Sequence, residues 1–153
     1  KQSAANTMAE IKSRLSKLVK YLGEKVPQDP RTGRLKSRFD VDSFMETRID
    51  SSHTSFSVEK GEEIHLCLRD KSENFNLHDI NTLMFVSLHE LSHVASVKNG
   101  HDAEFKINFV WVLKHATQIG IFTSVDYSAN NVKFCGEIIN ANPLITSLRL
   151  IKS

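Results

Sequence analysis

Apolar residues return at three- and four-residue steps over Met8, Ile11, Leu15, Leu18, Val19 and Leu22. That is the period of an amphipathic helix, here running from Thr7 to about Gly23, and Thr7 with Glu10 has the spacing of a capping box at its start. A polar stretch containing Pro30 and Gly33 follows, from Glu24 to about Asp40, and reads as a loop. The period then changes to two. Thr54–Val58 and Glu63–Leu68 alternate about the Gly-containing segment Glu59–Glu62, which predicts a β-hairpin. Val41–Ile49 reads as a further strand, with a helix as the alternative.

The clearest helical pattern begins near Asn76 or Asp79 and continues to Lys98, where Asn99-Gly100 supplies a stop, because both residues tolerate left-handed backbone angles. A second helix is expected from about Asp102 to Gln118, with Phe105, Phe109, Val112, Leu113 and Ala116 as its buried stripe and Gly120 closing it. From Ile121 to Ser153 short strand-like runs mix with Asn-rich turns and Pro143. Strands and helices are segregated along the chain, which fits an α+β class.

Composition sets the frame for this pattern. The 153 residues are enough for one domain with a single core, and 40% hydrophobic with 25% charged residues is ordinary for a globular protein. No apolar run approaches the roughly 20 residues that span a bilayer. The N-terminus lacks a charged-then-apolar signal sequence, and the chain starts at Lys1 rather than Met, in the manner of an excised fragment. Cys67 and Cys135 are too few for a secreted disulfide framework and lead us to expect thiols in a reducing, intracellular setting (cytoplasm, nucleus or virus-associated), with one disulfide as the alternative. Charge is uneven. Residues 1–40 hold ten Lys/Arg against four Asp/Glu, and Arg31, Arg34, Lys36 and Arg38 crowd into the expected loop. Such a cluster either meets nucleic-acid phosphates or is a solvated basic linker.

Candidate chemistry sits inside the best helix. His89-Glu90-Leu91-Ser92-His93 is H-E-x-x-H, and on a helix His89 and His93 lie one turn apart on the same face, able to grip one metal ion. Glu90 stands about 100° round from His89, within reach of a water at the metal and free to act as general base. Ile80, Met84, Ser87, Leu88, Leu91 and Ala95 form a separate stripe for the core, and the segments flanking the motif are uncharged. Just past the helix end, Gly100 lets the chain turn back so that His101 can become a third ligand. Three protein ligands leave one position open, the arrangement of catalytic zinc, and the two cysteines lack the paired spacing of a structural site. The expected cofactor is one zinc ion per chain. His53, His65, His78 and His115 have no partner by spacing and read as surface or core residues.

His89-Glu-Leu-Ser-His93, a seven-residue spacer and His101-Asp-Ala-Glu-Phe105 resemble the signature of the WLM metalloproteases and the related SprT-like proteases, over about residues 77–113. The resemblance implies a compact zincin-like (minimal gluzincin-like) fold, with a small sheet and hairpin packed on the H-E-x-x-H helix and supporting helices. It implies zinc on His89, His93 and His101, Glu90 as catalytic acid/base, and a protein substrate. Its best-known members cleave proteins crosslinked to DNA, and WLM-like proteins also occur in large DNA viruses, which this chain resembles in its tail. Residues 1–40 are then a helix and basic loop packed on a catalytic unit at 41–153, within one domain overall.

On this reading a peptide lies extended along the edge of the Thr54–Leu68 hairpin. Tyr127 and His115 are candidate oxyanion helpers, with packing or surface roles as the plainer alternative, and Arg31, Arg34, Lys36 and Arg38 are candidate DNA contacts. Cys135-Gly136 is weighed as an inhibitory thiolate against a buried structural cysteine. Three functions are carried forward: a DNA-associated crosslink protease, a processing or maturation peptidase without a nucleic-acid role, and a non-catalytic zinc-containing interaction module. DNA-stimulated cleavage separates the first two, and an intact Glu90 speaks against the third.

Overall fold

In a computed structural model, residues 2–47, 56–58, 63–70 and 76–152 are described. The elements are α1 (Gln2–Lys25), α2 (Pro30–Arg38), β1 (Phe44–Glu46), β2 (Phe56–Val58), β3 (Glu63–Leu66), β4 (Arg69–Asp70), β5 (Asn76–Leu77), α3 (Ile80–Val94), α4 (Ala103–Gln118), β6 (Val132–Phe134), β7 (Glu137–Ile139) and α5 (Pro143–Lys152). This is an α+β arrangement, as the segregated periods predict.

The first helix carries the expected stripe, and Ile11, Leu15, Leu18 and Leu22 are fully buried. Each such side chain contributes about 1.5–3 kcal/mol relative to exposure. The helix starts earlier than expected, at Gln2, because nothing in Ser3-Ala4-Ala5-Asn6 breaks it, and Ala4 is itself buried. Thr7 and Glu10 therefore lie inside the helix and not at a capping box; Glu10 pairs instead with Arg14 one turn on, at 2.6 Å.

The stretch expected as a basic loop is the helix α2. Asp29 is its N-cap, accepting the Arg31 N–H at 2.9 Å, and Pro30 occupies the first helical position, where its missing N–H costs nothing. Thr32 and Leu35 face inward. The Asp-Pro start was present in the sequence, but Gly33 and the run of cations outweighed it in the loop assignment.

Three strands form the main sheet in the order β1-β3-β2, with β1 parallel and β2 antiparallel to β3. The hairpin is as expected in topology, with Phe56 opposite His65, and Val41–Ile49 does supply a strand at Phe44–Glu46 after a 3₁₀ turn at Val41–Ser43. The hairpin turn and His53 lie outside the described residues. The sheet packs on α3 through β2 and β3, and its inward residues Phe44, Ile64 and Leu66 join Met84, Leu88 and Leu91 of α3 in one core.

Asp79 caps α3 by accepting the Thr82 N–H. The helix ends at Val94, four residues before the expected Lys98, and Asn99-Gly100 belongs to the following turn. Its end is held from α2. Arg34 Nε donates to the Ala95 carbonyl at 2.6 Å, and Arg38 Nη1 donates to the carbonyls of Val94 and Ser96 at 3.2 and 3.0 Å. Cations on terminal carbonyls satisfy orphan acceptors and complement the helix dipole. In the tail, α5 is a helix that the Asn-rich reading missed; Asn142, buried, starts it by accepting the Leu144 N–H at 3.0 Å.

Cys67 and Cys135 are joined by a disulfide, 68 residues apart in sequence, which overturns the expectation of two thiols in favour of the disulfide alternative and leaves no free Cys135 thiolate. Cysteine count alone carries no sign of this, because the pairing arises only when the β6–β7 turn is brought against the chain between β3 and β4. Cys135 and Gly136 are the two residues linking β6 to β7, both at positive φ (46° and 86°), as a tight primed hairpin turn requires. The Cys135 N–H also donates to His78 Nε2 at 3.2 Å. Replacing both cysteines by alanine is expected to lower the free energy of unfolding by roughly 2–4 kcal/mol, as for a long loop released from its cross-link, measured by urea unfolding under oxidising conditions.

Candidate metal centre

The two ends of the site come from α3 and from the turn that follows it. His89 and His93, one helical turn apart, present their rings at 5.1 Å between centroids. The early end of α3 leaves residues 95–102 to reverse the chain, and Gly100, at φ +95°, takes the left-handed conformation that the reversal needs. His101 then returns to α3. Its Nε2 lies 3.1 Å from His89 Nε2 and 3.2 Å from His93 Nε2, and the three ligand atoms all lie within 4.8 Å of one another. Two nitrogens each about 2.0–2.1 Å from a tetrahedral zinc ion stand about 3.3–3.4 Å apart, so this spacing is that of metal ligands.

Several contacts hold His101 in place. Glu104 reaches back from the first turn of α4 and accepts the backbone N–H groups of Val97 and Lys98, at 2.6 and 2.9 Å. Asp102 caps α4 by accepting the Phe105 N–H at 3.1 Å. Asn108 Nδ2 donates to Ser96 Oγ, tying α4 to the start of the reversal. Phe105 lies against all three imidazoles: its ring stacks on His93 at 4.3 Å and meets His89 and His101 edge-on at 4.9 Å. Sequence reasoning placed Phe105 in the core stripe and did not see Glu104 as a positioning residue. The signal was present as a carboxylate three residues past the third histidine.

Burial sets the charge states. The His89 imidazole is pushed down to about 3 by desolvation first and by its two histidine neighbours next, which keeps it neutral with a lone pair available. Glu90 is buried, and desolvation pushes its carboxyl up to about 7. Among the described residues its Oε2 is buried without a hydrogen-bond partner. Three convergent imidazoles beside an orphaned carboxylate oxygen fit a zinc site with an open coordination position. His89 and Glu90 line a cleft of about 220 Å³ with Phe85 and Val86 on one side and Phe134, Glu137 and Ile139 on the other.

Other sequence-derived candidates stand elsewhere. Tyr127 is buried against Phe85 at 4.8 Å, and its hydroxyl is pushed up to about 12 by burial and by Asp79, but it is not among the residues lining the cleft. His115 packs between Tyr21 and Trp111, away from the triad, and burial lowers its pKa. His65 pairs with Glu63, and His78 lies against the disulfide. Arg31 holds Asp29 and stacks over Trp111 at 4.2 Å, and the Lys36 stem runs along Gly23 of α1.

The WLM-domain family model matches residues 11–121, a span that runs from within α1 past the end of α4 and holds the whole histidine triad. The chain belongs to the WLM family. That family is associated with zinc and metalloprotease activity. Relatives of this WLM chain are viral. An uncharacterized protein of Acanthamoeba polyphaga mimivirus is 35% identical over 148 residues, covering 94% of this chain and 75% of its own length. Uncharacterized proteins of invertebrate iridescent viruses 6 and 3 are 35% and 36% identical over 92 and 94 residues, 60% and 61% of this chain but only 51% and 57% of their own lengths. These relatives agree with the expected origin in a large DNA virus. No solved structure matches the chain. Among the described residues, no helix of this WLM chain is long and apolar enough to cross a membrane.

Glu104→Ala is expected to weaken zinc binding by about tenfold or more, read by competition with a chromogenic chelator, because the 97–104 turn that carries His101 loses its carboxylate anchor.

Proposed function

We propose that this WLM chain is a zinc metallopeptidase of zincin-like construction, in which His89, His93 and His101 hold one zinc ion and Glu90 is the general base. The observation that carries the reading is the convergence of three Nε2 atoms at ligand spacing beside a buried carboxylate. When bound, zinc supplies Lewis-acid polarisation of the scissile carbonyl and acidifies water. Glu90 accepts the proton of the attacking water and delivers it to the leaving amine. Burial brings its carboxyl close to neutral pH, where one group can serve in both directions. Phe85, Phe105 and Phe109 exclude bulk water around His89 and so strengthen electrostatic interactions there. A peptide added as an extended strand would use β2, the antiparallel edge of the main sheet, or β1 at the opposite edge.

For the substrate, the structure favours a processing peptidase over one that depends on DNA contact through α2. Arg34 and Arg38 hold the end of α3, and Arg31 holds Asp29 and Trp111. DNA contact through α2 would need these groups at phosphates. Single-stranded DNA added to a cleavage assay is expected to leave the rate unchanged; a rise that disappears in 0.5–1 M salt (on the order of a thousandfold loss of phosphate binding) would restore the DNA-associated reading.

Glu90→Gln is expected to retain stoichiometric zinc and lose at least about 100-fold in kcat on an unfolded protein. His101→Ala is expected to lose or loosen zinc, measured by metal analysis after dialysis. Full proteolysis by the first variant, or full zinc retention by the second, would overturn the corresponding role. A zinc-loaded chain that cleaves no unfolded protein would point to an interaction module.

A further inference from the structure

The far wall of the cleft is built by a part of the chain that lies beyond residues 11–121, the span matching the WLM model. In the β6–β7 hairpin Val132 stands opposite Ile139, Lys133 opposite Ile138 and Phe134 opposite Glu137. Opposed residues share a face, and successive pairs alternate faces. Phe134, Glu137 and Ile139 thus present one face to His89 and Glu90, and the Lys133–Ile138 pair points outward, with Ile138 63% exposed. Across the cleft stand Phe85 and Val86. The lining combines apolar Phe85, Val86, Phe134 and Ile139 with two carboxylates, Glu90 and Glu137, and includes no lysine or arginine among the described residues.

This wall is held rigidly beside Glu137. The turn residue Cys135 is bonded to Cys67, its N–H donates to His78, and the Phe134 ring lies 4.8 Å from that imidazole. A fixed apolar surface ending in one exposed carboxylate suits a long aliphatic side chain with a cationic head, which buries its stem and keeps its charge paired in water.

We propose that the β6–β7 hairpin is the specificity wall of the cleft, where Phe134 and Ile139 pack along the stem of a lysine or arginine side chain flanking the scissile bond and Glu137 pairs with its cation. The proposal rests on the peptidase reading above and goes beyond it to a substrate class. Glutamate in the same place meets two carboxylates. Methionine fills the same volume without the charge.

The test uses alanine-rich octapeptides with one central Lys, Met or Glu, and two readouts. Hydrolysis by the zinc-loaded chain is followed by mass spectrometry, and binding of the same peptides, fluorescently labelled, to the Glu90→Gln variant is followed by anisotropy. Lys is expected to exceed Met by about fivefold in kcat/KM and in affinity, the scale of a partly exposed ion pair, and to exceed Glu by more. Glu137→Gln should bring Lys level with Met, and Glu137→Lys should favour Glu. Zinc content and circular dichroism verify that both variants fold, as their exposed position at the end of the hairpin turn leads us to expect. Lack of a Lys preference in both readouts, or a preference intact in Glu137→Gln, overturns the proposal. Hydrolysis that persists while both readouts are blind to the central residue would sink the wall alone. Lys-selective binding without hydrolysis of any peptide would sink the peptidase reading alone.

Discussion

The reversal of the chain between α3 and α4 is the constraint on which the rest of the site depends. Two histidines one turn apart on a helix can touch the same ion without any tertiary structure, but the third must come from elsewhere. Here it arrives within eight residues of His93, across a turn fixed by Glu104 from one side and by Arg34 and Arg38 from the other. The turn has few apolar residues of its own, and Val97 is well exposed. Its geometry is therefore set by charged and polar side chains acting on backbone groups, and α4 is capped by Asp102 immediately after His101.

Packing supports that turn from beneath. Ser87, Ser92 and Ser96 are buried and each donates its hydroxyl to the carbonyl four residues earlier, so α3 has small, satisfied surfaces at the places where neighbouring helices approach. Asn108 uses one of these hydroxyls as an acceptor. Phe105 and Phe109 fill the remaining space against the imidazoles. The core stripe of Leu83, Met84, Leu88 and Leu91 and the cleft-lining set of Phe85, Val86, His89 and Glu90 thus coexist on one 15-residue helix.

Periodicity made α1, α3, α4 and the central hairpin legible, and helix geometry made His89, Glu90 and His93 legible as a group. His101 needed the glycine stop and the family pattern as well. What escaped had local chemistry that pointed two ways. Gly33 and four cations made α2 look like a loop, although Asp29-Pro30 is a helix start, and the cations looked like a ligand patch because their partners, the carbonyls of residues 94–96, are some 60 positions away. The disulfide, legible only as the alternative to two thiols, and the far wall of the cleft escaped for the same reason: each depends on residues 130–140 meeting residues 65–90, and no period or spacing encodes that. The tail helix α5 was hidden by Asn140, Asn142 and Pro143, which read as a turn but supply its start.

The histidine triad and the wall facing it come from separate stretches of chain, and the disulfide through Cys135 ties the wall to the segment between β3 and β4. All three imidazoles and Glu90 are contained in residues 89–101, whereas Phe134, Glu137 and Ile139 ride on a two-stranded ribbon with its own turn. Substitutions on that ribbon therefore alter the wall of the cleft without replacing any residue of the triad or Glu90.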